Sequence, residues 1–114
     1  MITVQTLREY GANVDEGLAR CMGQESFYIG LVNSIIPDSK PQELKSQIEA
    51  GDLDKAFETA HALKGMYTNL SLTPIAEPII ELTELLRART QTDYSELLEK
   101  FLTQKDKLDK LAAQ

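Results

Sequence analysis

Apolar residues recur every three or four positions along nearly the whole chain, the spacing that lines up side chains on one face of an α-helix. Nothing alternates with the two-residue period of a half-buried strand. The pattern predicts a short helix from Val4 to Glu9, stopping near Gly11, and a second from Val14 to Cys21. Asp15 and Glu16 suit the positive N-terminal end of that second helix, and Gly23 closes it. A third helix, Gln24 to Ile36, places Phe27, Leu31 and Ile35 on one stripe, with Tyr28 and Val32 beside it. Pro37 interrupts the run. Ser39 then reads as an N-cap, with Pro41 tolerated in the first turn and Gln42 completing a capping box. Leu44 and Ile48 mark the buried side of this fourth segment, and Gly51 ends it. Two helices, or one long kinked helix, fit the third and fourth segments equally well.

Asp52 caps a fifth helix reaching about Leu70, with Leu53, Ala56, Ala60, Leu63, Tyr67 and Leu70 in one stripe. Thr73 followed by Pro74 is a favoured start for a sixth, although Pro78 removes a hydrogen bond and would move that start towards Glu77. Its stripe is Ile75, Ile79, Leu82 and Leu86. Asp93 and Glu96 form a second capping box, opening a last helix with Tyr94, Leu97, Phe101, Leu108 and Leu111 turned inward. Lys105, Lys107 and Lys110 suit the negative end of its dipole. Amphipathic helices joined by short turns predict an all-α fold, an antiparallel four-helix bundle with extra short N-terminal helices. The expectation is one domain over residues 1–114, with the bundle at about 24–112 and a helical cap at 1–23.

Composition narrows the function. A net charge of −6 over 114 residues repels phosphate backbones and anionic lipids, so neither nucleic acid nor a membrane surface is an expected partner. No apolar run approaches the roughly 20 residues needed to cross a bilayer. Cys21, the single cysteine, allows no internal disulfide and reads as a small buried hydrophobe. With one histidine and one cysteine far apart there is no ligand set for zinc, and no metal is expected. The runs Glu77/Glu81/Glu84 and Asp93/Glu96/Glu99 are most simply solvated helix faces. Without a Gly-rich phosphate loop, kinase activity of its own is not expected. We expect a cytoplasmic, monomeric protein, and the initial Met1 with the full helix set leads us to expect a free-standing one.

His61 is the residue with distinctive chemistry. It falls roughly 120° from the centre of the apolar stripe of its helix, on the flank facing water. Phe57, Lys64 and Gly65 are its neighbours one turn away, and Thr68 lies two turns on. An exposed imidazole can present a neutral ring nitrogen to an electrophile. Lys64 can offset the negative charge of a phosphoryl group. Gly65 costs a helix about 1 kcal/mol relative to alanine, a cost that close approach of a partner would explain. Phe57 fits equally a docking contact and half-buried core.

The run Ala60-His61-Ala62-Leu63-Lys64-Gly65, with Asn69 and Leu70 after it, resembles the signature of histidine-phosphotransfer domains of two-component phosphorelays. In that family a histidine is followed by lysine and glycine at the third and fourth places and a small residue near the tenth. The lead-in from Leu44 to Ala60 and the Glu81-Leu82-Thr83-Glu84-Leu85 segment are similar too, so the likeness spans about residues 24 to 112. One departure is Ser71, where the family commonly has glycine. The resemblance implies a phosphorelay carrier that accepts a phosphoryl group on His61 from a receiver-domain phosphoaspartate and passes it to another receiver. Lys64 would stabilise charge, while Phe57, Gly65 and Thr68 would dock the partner. Implied partners are response-regulator receiver domains, with a hybrid histidine kinase as a further candidate. No cofactor is expected on this chain, since Mg²⁺ would reside on the receiver. Asn69 is as well suited to capping the helix end as to a role at the site. The alternative is a receiver-binding interaction module that takes no phosphate.

Overall fold

A computed structural model describes residues 1–114 as seven α-helices with no strand: α1 (Val4–Tyr10), α2 (Val14–Arg20), α3 (Glu25–Ile35), α4 (Lys40–Glu49), α5 (Leu53–Asn69), α6 (Thr73–Arg87) and α7 (Ser95–Ala113). The short connections make α4 to α7 an up-down-up-down bundle, in which α5 packs most extensively on α6 and also on α4, and α7 lies against α6 and α4. The predicted all-α fold is the observed one. The third and fourth segments are two helices, parted at residues 36–39.

Helix α5 starts where Asp52 accepts a hydrogen bond from the Lys55 amide at 3.2 Å, the expected cap. Its stripe Ala56, Ala60, Leu63, Tyr67 and Leu70 is buried, with Leu53 half-buried. The α6 stripe of Ile75, Ile79, Leu82 and Leu86 is wholly buried against it. Tyr67 at the centre of the bundle packs on the Phe101 ring of α7, centroids 6.0 Å apart.

Three predicted caps are corrected. Ser39 lies in the helical region and makes no cap bond. Asp38 instead accepts from the Lys40 amide at 3.0 Å, so the local turn of an aspartate replaces the predicted box. Thr73 is the first residue inside α6, with Leu72 at the cap, and Pro78 is carried within the helix rather than setting its start. Asp93 accepts from the Ser95 amide at 2.9 Å and Tyr94 takes the cap position, so Asp93 and Glu96 form no box.

Two faces also differ from expectation. On α3, Tyr28 and Val32 are fully buried while Phe27 and Leu31 are exposed. The reason is Gly17 on α2, where an added Cβ would lie 2.6 Å from the Tyr28 ring. The missing side chain lets that ring in, and the Tyr28 hydroxyl then donates to the Leu70 carbonyl at 2.8 Å. On α7, Leu98 and Lys105 are buried and Leu97 and Leu111 only half-buried. Lys105, expected on a basic tail, donates to the Ile36 carbonyl at 2.7 Å and pairs with Asp109. A buried ammonium needs such partners.

The N-terminal helices are fastened to the bundle at the far end of α5. The Ser71 carbonyl accepts from the Asn13 amide at 2.9 Å, and the Ser71 hydroxyl donates to Glu16 at 2.9 Å. Arg20 donates to the Thr68 carbonyl at 2.8 Å. Ser71 itself has φ +56°, in the left-handed region that glycine occupies without penalty. The departure from the resembled family's usual glycine therefore has a local physical counterpart, a hydroxyl anchored by the N-terminal cap.

Candidate functional site

His61 is exposed in the middle of α5, on the flank opposite the packed stripe. Phe57, one turn earlier, stacks on its ring with centroids 5.7 Å apart and planes 19° from parallel. The Phe57 side chain is half-buried and packed against the core, so the two roles open to it coexist: an inner edge in the core and a face beside the imidazole.

Cations gather around this stack from two helices. The guanidinium carbons of Arg87 and Arg89 lie 5.0 and 5.2 Å from the Phe57 centroid, within cation–π range. Arg89 follows the end of α6 in a left-handed conformation, φ +53°, and its side chain reaches back to Asp54 on α5 at 2.8 Å. Lys64 is three-quarters covered, and its ammonium lies 4.0 Å from Glu84 Oε1. The other oxygen of that carboxylate is 3.5 Å from Arg87 Nε. Arg87 and Arg89 thus lie over the ring that stacks on His61, and Lys64 stands one turn from His61 on α5, each cation beside a carboxylate.

Gly65 offers open space: nothing lies within 4 Å of where a Cβ would stand. The packing of this chain does not call for glycine there, and the surface one turn past His61 is left low. Thr68 is half-buried, and its hydroxyl donates to the Lys64 carbonyl of its own helix at 2.7 Å. Asn69 is exposed as the last residue of α5. Cys21 is buried and unpaired.

Burial shapes the tyrosines at the other end of α5, pushing the Tyr28 hydroxyl up to about 12. The Tyr67 hydroxyl is raised further, first by burial and then by the nearby Asp38, Tyr10 and Asp109. These groups stay neutral and structural.

Sequence reasoning placed His61, Phe57, Lys64 and Gly65 on one surface, and the structure brings them together. It missed Asp54, Arg87 and Arg89, and read Glu84 only as a solvated face. A usable signal existed: in an antiparallel helix pair, equal steps outward from the turn at Ser71 bring Phe57 beside the last turn of α6.

The grooves between α6 and α7 and between α4 and α7 are lined by none of these residues. The imidazole stands on an open surface, which suits chemistry completed by a macromolecular partner better than capture of a small substrate. A family model described as Hpt domain matches residues 39–114, the span holding α4 to α7 with His61, Lys64, Arg87 and Arg89. No curated protein and no solved structure gives a match. The family match covers well over half of the chain and coincides with the bundle, the motif and the exposed histidine: the chain belongs to the Hpt domain family.

Proposed function

We propose that this chain is a phosphorelay carrier, taking a phosphoryl group on His61 from a receiver-domain phosphoaspartate and passing it to the aspartate of a second receiver. Membership of the Hpt family supports histidine phosphotransfer in general terms. The observation that carries the assignment to this residue is the exposed imidazole of His61 stacked on Phe57, with Lys64 one turn away.

In the forward step the lone pair of His61 Nε2 attacks phosphorus while Nδ1 keeps its proton. The P–N bond forms as the P–O bond to the aspartyl carboxylate breaks, and the carboxylate leaves as the anion. The reverse step on another receiver restores the neutral imidazole. Developing charge on the phosphoryl oxygens needs preorganised cations. The receiver supplies Mg²⁺, and this chain supplies Lys64. Phe57, Gly65 and Thr68 belong to the docking region, Phe57 as an apolar contact and Gly65 by leaving room. Thr68 acts through its position, because its hydroxyl is engaged with the helix backbone.

The test is transfer from a panel of receivers charged with acetyl phosphate. The expected result is an acid-labile, base-stable label on the parent chain and none on His61→Gln, with unchanged helical content. Labelling of His61→Gln at the parental rate would reject His61 as acceptor. Tight receiver binding without any label would favour the non-phosphorylated interaction module.

A further inference from the structure

Lys64 and Arg87 come from different helices, yet they share one carboxylate. Glu84 faces Lys64 with one oxygen at 4.0 Å and Arg87 with the other at 3.5 Å. We infer that Glu84 is a positioning residue: an internal counter-anion that gathers these cations beside His61 and yields them to a phosphoryl group when His61 carries one. This inference rests on the reading of His61 as the phosphorylated residue.

Geometry and charge support the exchange. Left without a carboxylate, an ammonium and a guanidinium repel each other and extend into water. Glu84 holds them on the same side of the α5–α6 seam as Phe57, and Arg87 lies over the Phe57 ring that stacks on His61. The carboxylate is 58% exposed and Arg87 50%, so that pair is a screened contact, and the pair with the more covered Lys64 is long at 4.0 Å; both are of the kind that rearrange readily. A phosphoryl group brings up to twice the charge of a carboxylate and three acceptor oxygens. On His61 it would sit one helical turn from Lys64. It therefore competes for the same cations with the advantage. Arg89 is tied separately to Asp54 at 2.8 Å, and Glu58 is the remaining charge one turn from His61 on its own helix. Neither touches the Glu84 pair, which makes Glu84 the element that links Lys64 to Arg87.

The test needs no receiver. Phosphoramidate loads the imidazole chemically, and ³¹P NMR then follows the titration of the phosphoryl group on His61. With Glu84→Gln, Lys64 and Arg87 are free to turn to the phosphoryl, and its titration midpoint falls by about half a pH unit, the order expected for one charge at this range in a solvated setting. In a Lys64→Gln/Arg87→Gln background the same change moves the midpoint by less than half as much, because Glu84 then has no cations to release. Thermal midpoints of the variants stay within about 2 °C of the matching parents, since exposed pairs contribute little to stability. An unchanged midpoint in Glu84→Gln overturns the inference, and so does a full-sized effect in the background lacking both cations, which would mean plain repulsion. A chain that shows the predicted cycle but takes no label from any receiver loses the relay reading and keeps this one. Failure of phosphoramidate to load His61 removes both.

Discussion

Around His61, α5 presents an exposed imidazole and a half-buried phenyl ring, and Lys64 of α5, Arg87 of α6 and Arg89 just beyond it are paired with carboxylates at 2.8 to 4.0 Å. About 9 Å further along the same helix, Tyr67 is fully buried, and the backbone beyond it receives hydrogen bonds from Arg20, Tyr28 and Asn13 of the N-terminal helices. One stretch is built from contacts that exchange with water and partners at little cost. The other is built from packing and from hydrogen bonds that include the buried one between Tyr28 and the Leu70 carbonyl. An imidazole on a helix fastened at one end needs no loop to position it, and the salt links beside it are largely solvent-exposed.

The largest expected effect lies at the buried end. Tyr67→Ala removes a fully buried ring packed on Phe101 and should cost about 3–5 kcal/mol in urea denaturation. Tyr67→Phe separates ring from hydroxyl. The hydroxyl finds no protein partner, so its loss should cost less than about 1 kcal/mol. A large loss in the phenylalanine variant would show that the hydroxyl, and not ring packing, anchors this end.

Next in size is the turn after α5. Ser71 combines a left-handed backbone with a hydroxyl bonded to Glu16. Ser71→Ala keeps the backbone cost and loses the bond, and should destabilise by about 1–2 kcal/mol. Ser71→Gly loses the same bond but relieves the backbone, so the two effects nearly cancel and stability should stay within about 0.5 kcal/mol of the parent. Thermal denaturation of the pair checks this. Equal losses in both variants would locate the whole effect in the Glu16 bond.

The same contrast explains what the sequence revealed. The stripes of α5 and α6, and the exposed angle of His61, were legible because burial over several turns leaves a long periodic record. The caps were not: at α4 a single hydrogen bond to Asp38 displaces Ser39, while α6 and α7 have Leu72 and Tyr94 at the cap with no side-chain cap bond, one residue from the predicted Thr73 and Asp93. On α3 two pairs spaced four apart, Phe27 with Leu31 and Tyr28 with Val32, competed for the buried face. The decision came from Gly17, eleven positions before Tyr28, through a gap only the folded chain displays. The arginines beside Phe57 escaped notice for a similar reason. Arg87 ends α6 and Arg89 follows it, and their place at the site is a property of the helix pair.

The exposed end should respond more weakly than the removal of the Tyr67 ring or of the Ser71 hydroxyl by alanine, and with the opposite sign. Gly65 sits inside α5 with empty space where a Cβ would stand, so Gly65→Ala meets no obstacle and should stabilise the chain by about 0.5–1 kcal/mol through helix propensity and a less flexible unfolded state. If the glycine is kept for a partner's approach to His61, the added methyl group should also slow transfer from a charged receiver several-fold while stability rises. Rapid-quench transfer kinetics beside thermal denaturation reads both quantities on one variant. A stabilised chain that transfers at the parental rate would detach Gly65 from docking, and a destabilised one would mean the buried end's tight packing extends further up α5 than the open space beside Gly65 indicates.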